Sequence, residues 1–256
     1  MWRLVAAVAL VLTVFGATTI ATAAVPEPRV ALVIGNSAYR MGPLKHPAND
    51  ARLMAETLRG LGFDATRDQL LDQLEAYRLV LKRDDRLLIY YAGHGQIDVA
   101  TGAGYWQPVD AKEGKRRTWI SNDAIRNELK ALPAKHVLVI ADSCFSGTLT
   151  QTRGDQLSNN IPKDRYFSEI DSYVSRKVIS SGGVEPVADS GSGGHSVFAY
   201  YLLKSLRNNS EPYLTSYDLF SQLDRAVTNN SDQKPVRGTV DKAGDEGPGD
   251  FTFILK

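Results

Sequence analysis

The sequence predicts an α/β fold in which a mostly parallel sheet is covered by helices on both faces. Apolar runs rich in β-branched residues alternate along the chain with segments whose apolar residues recur at helical spacing. The runs at 30–34, 87–91 and 137–140 are continuously apolar, which is typical of parallel strands buried on both faces. With 43% hydrophobic and 23% charged residues, the 256-residue chain has the composition of a globular protein with room for one large domain.

The predicted elements alternate between strand and helix from residue 29 to the end of the chain. Helices begin at polar caps and end at breakers such as Gly60 or Pro133. The candidate caps are Asn49 or Asp50, Ser121 or Asn122, and Ser216 or Asp218. The predicted strands cover 29–35, 63–66, 86–91, 136–140, 177–180 and 251–255, and the predicted helices cover 51–61, 67–83, 122–132, 197–206 and 216–227. Between them we expect a short surface piece at 106–109, a long loop at 148–172 and a Gly/Ser-rich loop at 182–194.

Residues 1–24 have the features of a secretory signal peptide. They carry a single charge at Arg3, an almost unbroken apolar run over 4–20 and a small-residue cleavage pattern at 21–23. We expect cleavage after this pattern and export to the periplasm or the cell exterior. The alternative is an uncleaved membrane anchor, because a run of 17 residues reaches the lower limit of a membrane-spanning length. Only that alternative would make a membrane a partner.

Charge and ligand spacing argue against two classes of protein. The net charge is +1, and no cluster of Lys and Arg is long enough to indicate nucleic-acid binding. One cysteine and four scattered histidines show no spacing typical of metal ligands. The sequence therefore predicts no nucleic-acid partner, no metal site and no cofactor.

Cys144 is the chain's only cysteine and follows directly on a predicted buried strand. It cannot form an intramolecular disulfide, so it is either an inert buried thiol or a reactive one. His94 follows another such strand, at 86–91. Because parallel strands end at one edge of a sheet, His94 and Cys144 face one cleft if their strands are close neighbours. The histidine can then activate the thiol as a nucleophile, with the Gly95 and Cys144 amides as oxyanion donors.

The other histidines have weaker claims to this role. His136 begins its strand, so it lies at the opposite edge of the sheet from Cys144. His46 and His195 fall in loops, and His195 is the second candidate. On the chemistry of the residues alone, a Cys-His enzyme is favoured over a binding domain.

The order and spacing of these motifs resemble the caspase-like cysteine peptidases, closest to bacterial metacaspase-like or orthocaspase-like members. The matching segments are 91–95 and 142–147, with further similarity at 31–39, 49–51 and 249–251. The resemblance covers roughly residues 29–256. It implies a caspase-haemoglobinase-like three-layer α/β/α sandwich of about six mostly parallel strands. The loop at 148–172 would separate large-subunit-like and small-subunit-like parts, with Arg153, Lys163 and Arg165 as possible self-cleavage sites or as ordinary solvated charges.

The resemblance also implies a catalytic dyad of His94 and Cys144 and a pocket for the residue before the cut. Asp50 and Asp142 would line that pocket, with Ala92, Ser180 and Ser181 as further substrate-binding candidates. Two carboxylates favour a basic side chain, so the expected activity is cleavage of peptides after Arg or Lys through a thioester acyl-enzyme. The alternative role of Asp50 is a helix cap, and the two roles are compatible.

Three questions stay open at this point. The sequence has no dense cluster of aspartates that would indicate activation by calcium. Whether the activity depends on calcium therefore stays open. A catalytically silent module with the same fold, used for interaction or regulation, is the first alternative to a peptidase. A thiol transferase on that fold is the second.

Overall fold

The structure is a computed structural model that describes residues 29–40, 42–58, 61–63, 66–143, 149–151, 163–182 and 193–254. The predicted signal peptide at 1–24 lies outside the described residues. The strands are β1 Arg29–Gly35, β2 Leu61–Phe63, β3 Arg86–Ala92, β4 Gly95–Asp98, β5 Ala103–Trp106, β6 Ile120–Ser121, β7 His136–Asp142, β8 Thr150–Gln151, β9 Ser175–Ser180, β10 Tyr213–Thr215, β11 Val236–Val240 and β12 Thr252–Ile254. The helices are α1 Pro47–Leu58, α2 Arg67–Val80, α3 Asn122–Ala131, α4 Lys163–Ser172, α5 Val197–Asn208 and α6 Ser216–Thr228.

The main sheet confirms the predicted α/β class. Within the described part of the chain it has seven strands in the order β2-β1-β3-β7-β9-β11-β8. The first five in that order run parallel, whereas β11 lies antiparallel to β9 and the two-residue β8 lies antiparallel to β11. Every residue of β3 and β7 is buried, as expected for central strands covered on both faces.

Side-chain alternation divides the interior into two cores. Leu87, Ile89 and Tyr91 of β3 pack in a core with residues of α2 and α3. Leu88, Tyr90 and Ala92 point the other way, into a core shared with α1, α5 and α6. The face of the sheet on which a strand-end residue lies therefore follows from its position in this alternation.

Two small sheets are absent from the predicted element list. β4, β5 and β6 form an antiparallel unit directly after His94, and β10 pairs with β12. The prediction that 106–109 is a surface piece was wrong for Trp106, which is 2% exposed and stacks on Tyr91 at a centroid distance of 4.3 Å. The predicted final strand exists as β12, but it lies outside the main sheet.

Several predicted boundaries also need correction. α1 begins at Pro47 instead of Ala51, because proline suits the first helical turn and the Ser37 hydroxyl accepts the Ala48 N–H at 2.9 Å. α6 is capped by Thr215, whose hydroxyl accepts the Asp218 N–H at 3.0 Å. The predicted loop at 148–172 contains β8 and α4.

No helix in the described segments is both long and apolar enough to cross a membrane.

Candidate active site

The two strands that precede His94 and Cys144 are immediate neighbours. β3 and β7 pair in parallel along their whole length, and their last residues, Ala92 and Asp142, are partners in the register. The Gly93 N–H continues the pairing by donating to the Asp142 carbonyl at 3.2 Å. His94 stands two residues after Ala92, and Cys144 stands two residues after Asp142. Cys144 lies outside the described residues, so its pairing with His94 stays a prediction that this register supports.

The His94 ring is oriented by a backbone carbonyl. Its Nε2 lies 2.7 Å from the Gly42 oxygen. A carbonyl oxygen only accepts, so Nε2 carries a proton in this contact. A neutral ring then has Nδ1 as its basic nitrogen, which is the form that a general base requires.

The Tyr39 hydroxyl and the Gln107 backbone hold the His94 segment through hydrogen bonds. The Tyr39 hydroxyl accepts the His94 N–H at 2.9 Å and donates to the Gln107 carbonyl at 2.7 Å. The Gln107 N–H in turn donates to the His94 carbonyl at 2.9 Å. Sequence reasoning missed Tyr39 and Gln107, because their relation to His94 depends on β5 returning beside β4. The buried Trp106, at the end of β5, is the one local signal that could have suggested it.

Asp50 and Asp142 do come together, joined by His195, which the sequence offered only as a second candidate for the catalytic histidine, and by Ser196, which sequence reasoning missed. His195 donates from Nδ1 to Asp50 Oδ1 at 2.6 Å, and the Ser196 N–H donates to Asp50 Oδ2 at 3.2 Å. The Ser196 hydroxyl donates to Asp142 Oδ2 in a short hydrogen bond. Asp50 is 1% exposed and Asp142 is 6% exposed. The two acids therefore form a buried cluster on the α1/α5/α6 face of the sheet.

Two helix starts hold this cluster in place. Asp50 lies in the first turn of α1, and Ser196 is the N-cap of α5, where its hydroxyl also accepts the Ala199 N–H at 2.9 Å. Positive helix ends stabilise nearby carboxylates. The interpretation of Asp50 as a cap was wrong, because α1 begins three residues earlier and the Asp50 side chain binds His195 and Ser196.

The charges of the two acids both act on the buried Tyr90 hydroxyl. Burial raises the pKa of Tyr90 well above its ordinary value, and the charges of Asp142 and Asp50 raise it further. Burial lowers the pKa of His195, with smaller contributions from the charges of Arg207 and Arg52. A neutral His195 ring that donates from Nδ1 to Asp50 agrees with that direction.

The other substrate-binding candidates are Ala92, Ser180 and Ser181. Ala92 is buried beside Asp142, and its side chain lies on the same face of the sheet. The Ser181 N–H donates to the Ala141 carbonyl at 3.0 Å. Ser180 pairs with Ala141 and points to the opposite face, where its hydroxyl donates to the Gly182 carbonyl at 2.9 Å. The structure therefore does not bring the Ser180 side chain to the two acids.

The residues proposed for self-cleavage fall in or near the predicted loop. Lys163 begins α4 and Arg165 is exposed on it, whereas Arg153 lies outside the described residues. Gly95 begins β4 and pairs with Trp106. His136 is buried at the far end of β7, away from Ala92 and Asp142.

Across the described segments, no group of three or more His, Cys, Asp or Glu residues is placed to hold a metal ion.

The human mucosa-associated lymphoid tissue lymphoma translocation protein 1 is 37% identical over 92 residues, which are 33% of this chain and 11% of that protein. Its mouse homologue is 36% identical over the same length and the same shares. The match thus spans about a tenth of these curated relatives. The crystal structure of protein GSU0716 from Geobacter sulfurreducens has the same fold, with a TM-score of 0.58 at 20% identity, covering 90% of this chain and 100% of that one.

A match to a family model shows the family to which this chain belongs. The model described as the caspase domain matches residues 28–242, which include both strand ends of the candidate site. The strand order of the main sheet agrees with that match. The chain belongs to the caspase domain family of cysteine peptidases.

Proposed function

We propose that this protein is an exported cysteine endopeptidase that cleaves peptides after Arg or Lys. The observation that carries the proposal is the pairing of Ala92 with Asp142, because it gives His94 and Cys144 the same offset from two neighbouring strand ends. The ring of His94 is held through Nε2 by Gly42, which leaves Nδ1 to act on the thiol.

The proposed reaction runs in two steps. The Cys144 thiol loses its proton to His94 Nδ1, and the sulfur attacks the carbonyl carbon of the scissile bond. The Gly95 and Cys144 amides stabilise the oxyanion. His94 returns the proton to the leaving amine as the C–N bond breaks, and a thioester remains. Water activated by the same ring then hydrolyses the thioester and restores the thiol.

The preference for Arg or Lys is supported by the buried acid cluster. Asp50 and Asp142 are both almost fully buried, and a buried carboxylate is costly unless it is well paired. A basic side chain reaching them would supply a charge-assisted hydrogen bond, and an acidic one would meet like charges. His195 and Ser196 would have to share these oxygens with the substrate.

Hydrolysis of three matched peptide arylamides tests the proposal, with Arg, Lys or Asp before the scissile bond. We expect turnover of the Arg and Lys peptides alone, and loss of more than about 10³-fold in kcat for Cys144→Ala and His94→Gln. Calcium and its chelation form two arms of the same assay. No turnover of any peptide would favour the catalytically silent module, and turnover only after Asp would reject the role of the acid pair.

Export is a separate part of the proposal. It rests on the apolar run and small-residue pattern of residues 1–24. N-terminal sequencing of the protein recovered from cells should begin near residue 24, whereas an intact Met1 in the membrane fraction would indicate the anchor.

A further inference from the structure

A cleft of about 850 Å³ opens beside His94, away from the acid cluster. Tyr39, Gly42 and His94 form one wall, and the segment 111–114 with Trp119 forms another. The proposed reaction gives this cleft no role. Because a catalytic histidine that protonates a leaving amine must face it, a cleft lined by His94 is well placed for the part of the substrate that leaves.

The second wall is held in place by hydrogen bonds. The Lys112 N–H donates to the Thr118 hydroxyl at 2.9 Å, and the Thr118 hydroxyl donates to the Lys115 carbonyl at 2.8 Å. Trp119 Nε1 donates to the Lys112 carbonyl at 3.3 Å. Just before this segment, Asp110 accepts the Arg67 N–H at 2.9 Å and thereby joins it to the start of α2. A wall fixed in this way binds a peptide with little ordering cost.

The sheet separates this cleft from the acid cluster. Asp142 lies on the α1/α5/α6 face, by its alternation with Ile140 and its contact with Ser196. The unit that bears the cleft lies on the other face, where Trp106 packs in the core of α2 and α3. A peptide bond held at the ends of β3 and β7, with its preceding side chain toward the acids, therefore points its following residues toward the cleft.

The charges of the lining identify the kind of residue that fits. Arg40 and Lys112 are exposed on the cleft and have no ion-pair partner among the described residues, and Glu113 is the one carboxylate on the lining. We infer that this cleft binds the substrate residues after the cut and favours an acidic side chain there. The inference rests on the proposed peptidase function and adds a second specificity site to it.

Two internally quenched peptides test it, alike up to an Arg before the cut, with Glu or Lys at the two following positions. The readout is the ratio of kcat/KM for the Glu peptide to that for the Lys peptide. We expect the ratio to be about five or more in the wild type, in line with one or two exposed ion pairs. Lys112→Glu should bring it to one or below, and Glu113→Lys should raise it.

The matched control is Lys115→Glu, which makes the same charge change one residue beyond the segment 111–114 and outside the lining. It should leave the ratio unchanged. Equal cleavage of the two peptides, or an equal effect of Lys112→Glu and Lys115→Glu, would overturn the inference while leaving the peptidase intact. Failure to cleave the arylamide would reject the peptidase itself.

Binding of the uncut peptides to the Cys144→Ala protein gives a measurement that needs no turnover. Fluorescence anisotropy should show tighter binding of the labelled Glu peptide, and Lys112→Glu in that background should abolish the difference. Equal affinity for both peptides would count against the cleft even if the protein proved inactive.

Discussion

At the scale of single residues, the proposed chemistry of His94 depends on one backbone oxygen. Gly42 supplies it from a backbone with φ of 67°, a conformation that a residue with a Cβ enters at a cost of about 1 kcal/mol. A Cβ added there would stand 3.6 Å from His94 Nε2, which is ordinary contact. The effect of a substitution at this position is therefore one of backbone conformation, acting through the carbonyl.

Gly42→Ala should lower kcat about tenfold with little change in KM, because the ring loses its fixed orientation. The control is Gly102→Ala, at φ of 72° with no atom within 4 Å of the added Cβ, in the turn between β4 and β5. Both variants should lose similar stability in thermal unfolding. Equal loss of kcat in the two would show that the Gly42 carbonyl does not position His94.

Ser196 combines two roles that a matched variant separates. It caps α5 and donates to Asp142, whereas Ser121 caps α3 by accepting the Ala124 N–H at 3.1 Å and lies away from the acids. Either substitution to alanine should cost about 1 kcal/mol of stability. Only Ser196→Ala should also change KM for the Arg peptide, by about fivefold or more, since it alters the partners of a buried carboxylate. An unchanged KM would remove Ser196 from the pocket.

Part of this site could be predicted from the sequence, and the rest could not. Asp142 and Cys144 share one motif at a strand end, and Asp50 belongs to a second motif, so a resemblance could name them. Ser196 reads only as the start of a helix, and His195 as a residue in a Gly-rich loop. Their contacts with Asp50 are made across about 145 positions of sequence and exist only after the helices have packed.

At the scale of elements, the end of α3 is held by a side chain from a strand. Arg176 of β9 donates to the Leu129 carbonyl at 3.2 Å and to the Leu132 carbonyl at 3.2 Å. Burial lowers the pKa of Arg176 to about 10. These bonds satisfy carbonyls that Pro133 prevents the helix from pairing.

Arg176→Met should reduce the free energy of unfolding by about 3 kcal/mol, because buried carbonyls lose their donors. The control is Lys130→Met, which removes an exposed cation from α3, the helix whose end Arg176 holds. Urea unfolding of both proteins is the measurement. A similar small loss in the two variants would contradict the proposed role of Arg176.

Elements with a clear hydrophobic pattern were predictable, and those without one were not. The buried runs of β1, β3 and β7 were confirmed by the structure. α4 has Ile170 as its one fully buried apolar residue, so it shows no sustained helical period. β11 carries Arg237 and Gly238 within five residues and pairs antiparallel near the edge of the sheet, which hides the signal of a strand.

At the scale of the whole molecule, stability depends on pH through His136. Its ring is buried at the start of β7, with Nδ1 3.2 Å from the Ser175 hydroxyl oxygen. Burial, and to a smaller extent the charges of Arg86 and Lys135, lower the pKa of His136 from 6.5 to about 4, against the opposing charge of Asp171. Below pH 6.5 the unfolded chain therefore binds a proton that the folded chain does not bind until about pH 4.

The free energy of unfolding should fall by about 3 kcal/mol through this group as the pH decreases across that window. Below the window, the contribution of His136 stays constant. Urea unfolding at several pH values, compared between the wild type and His136→Gln, measures it. The variant should lose part of the pH dependence, and identical slopes for the two proteins would show that His136 does not titrate in this way.

The alternation of side chains along β3 and β7 has a consequence for how substrate preference can change. In the proposed peptidase, selection before the cut depends on residues on one face of the sheet, and selection after the cut depends on residues on the other. The two sets share no side chain, so a substitution in one leaves the contacts of the other in place. Such a peptidase can be retargeted one side of the cut at a time, each change adding to the last.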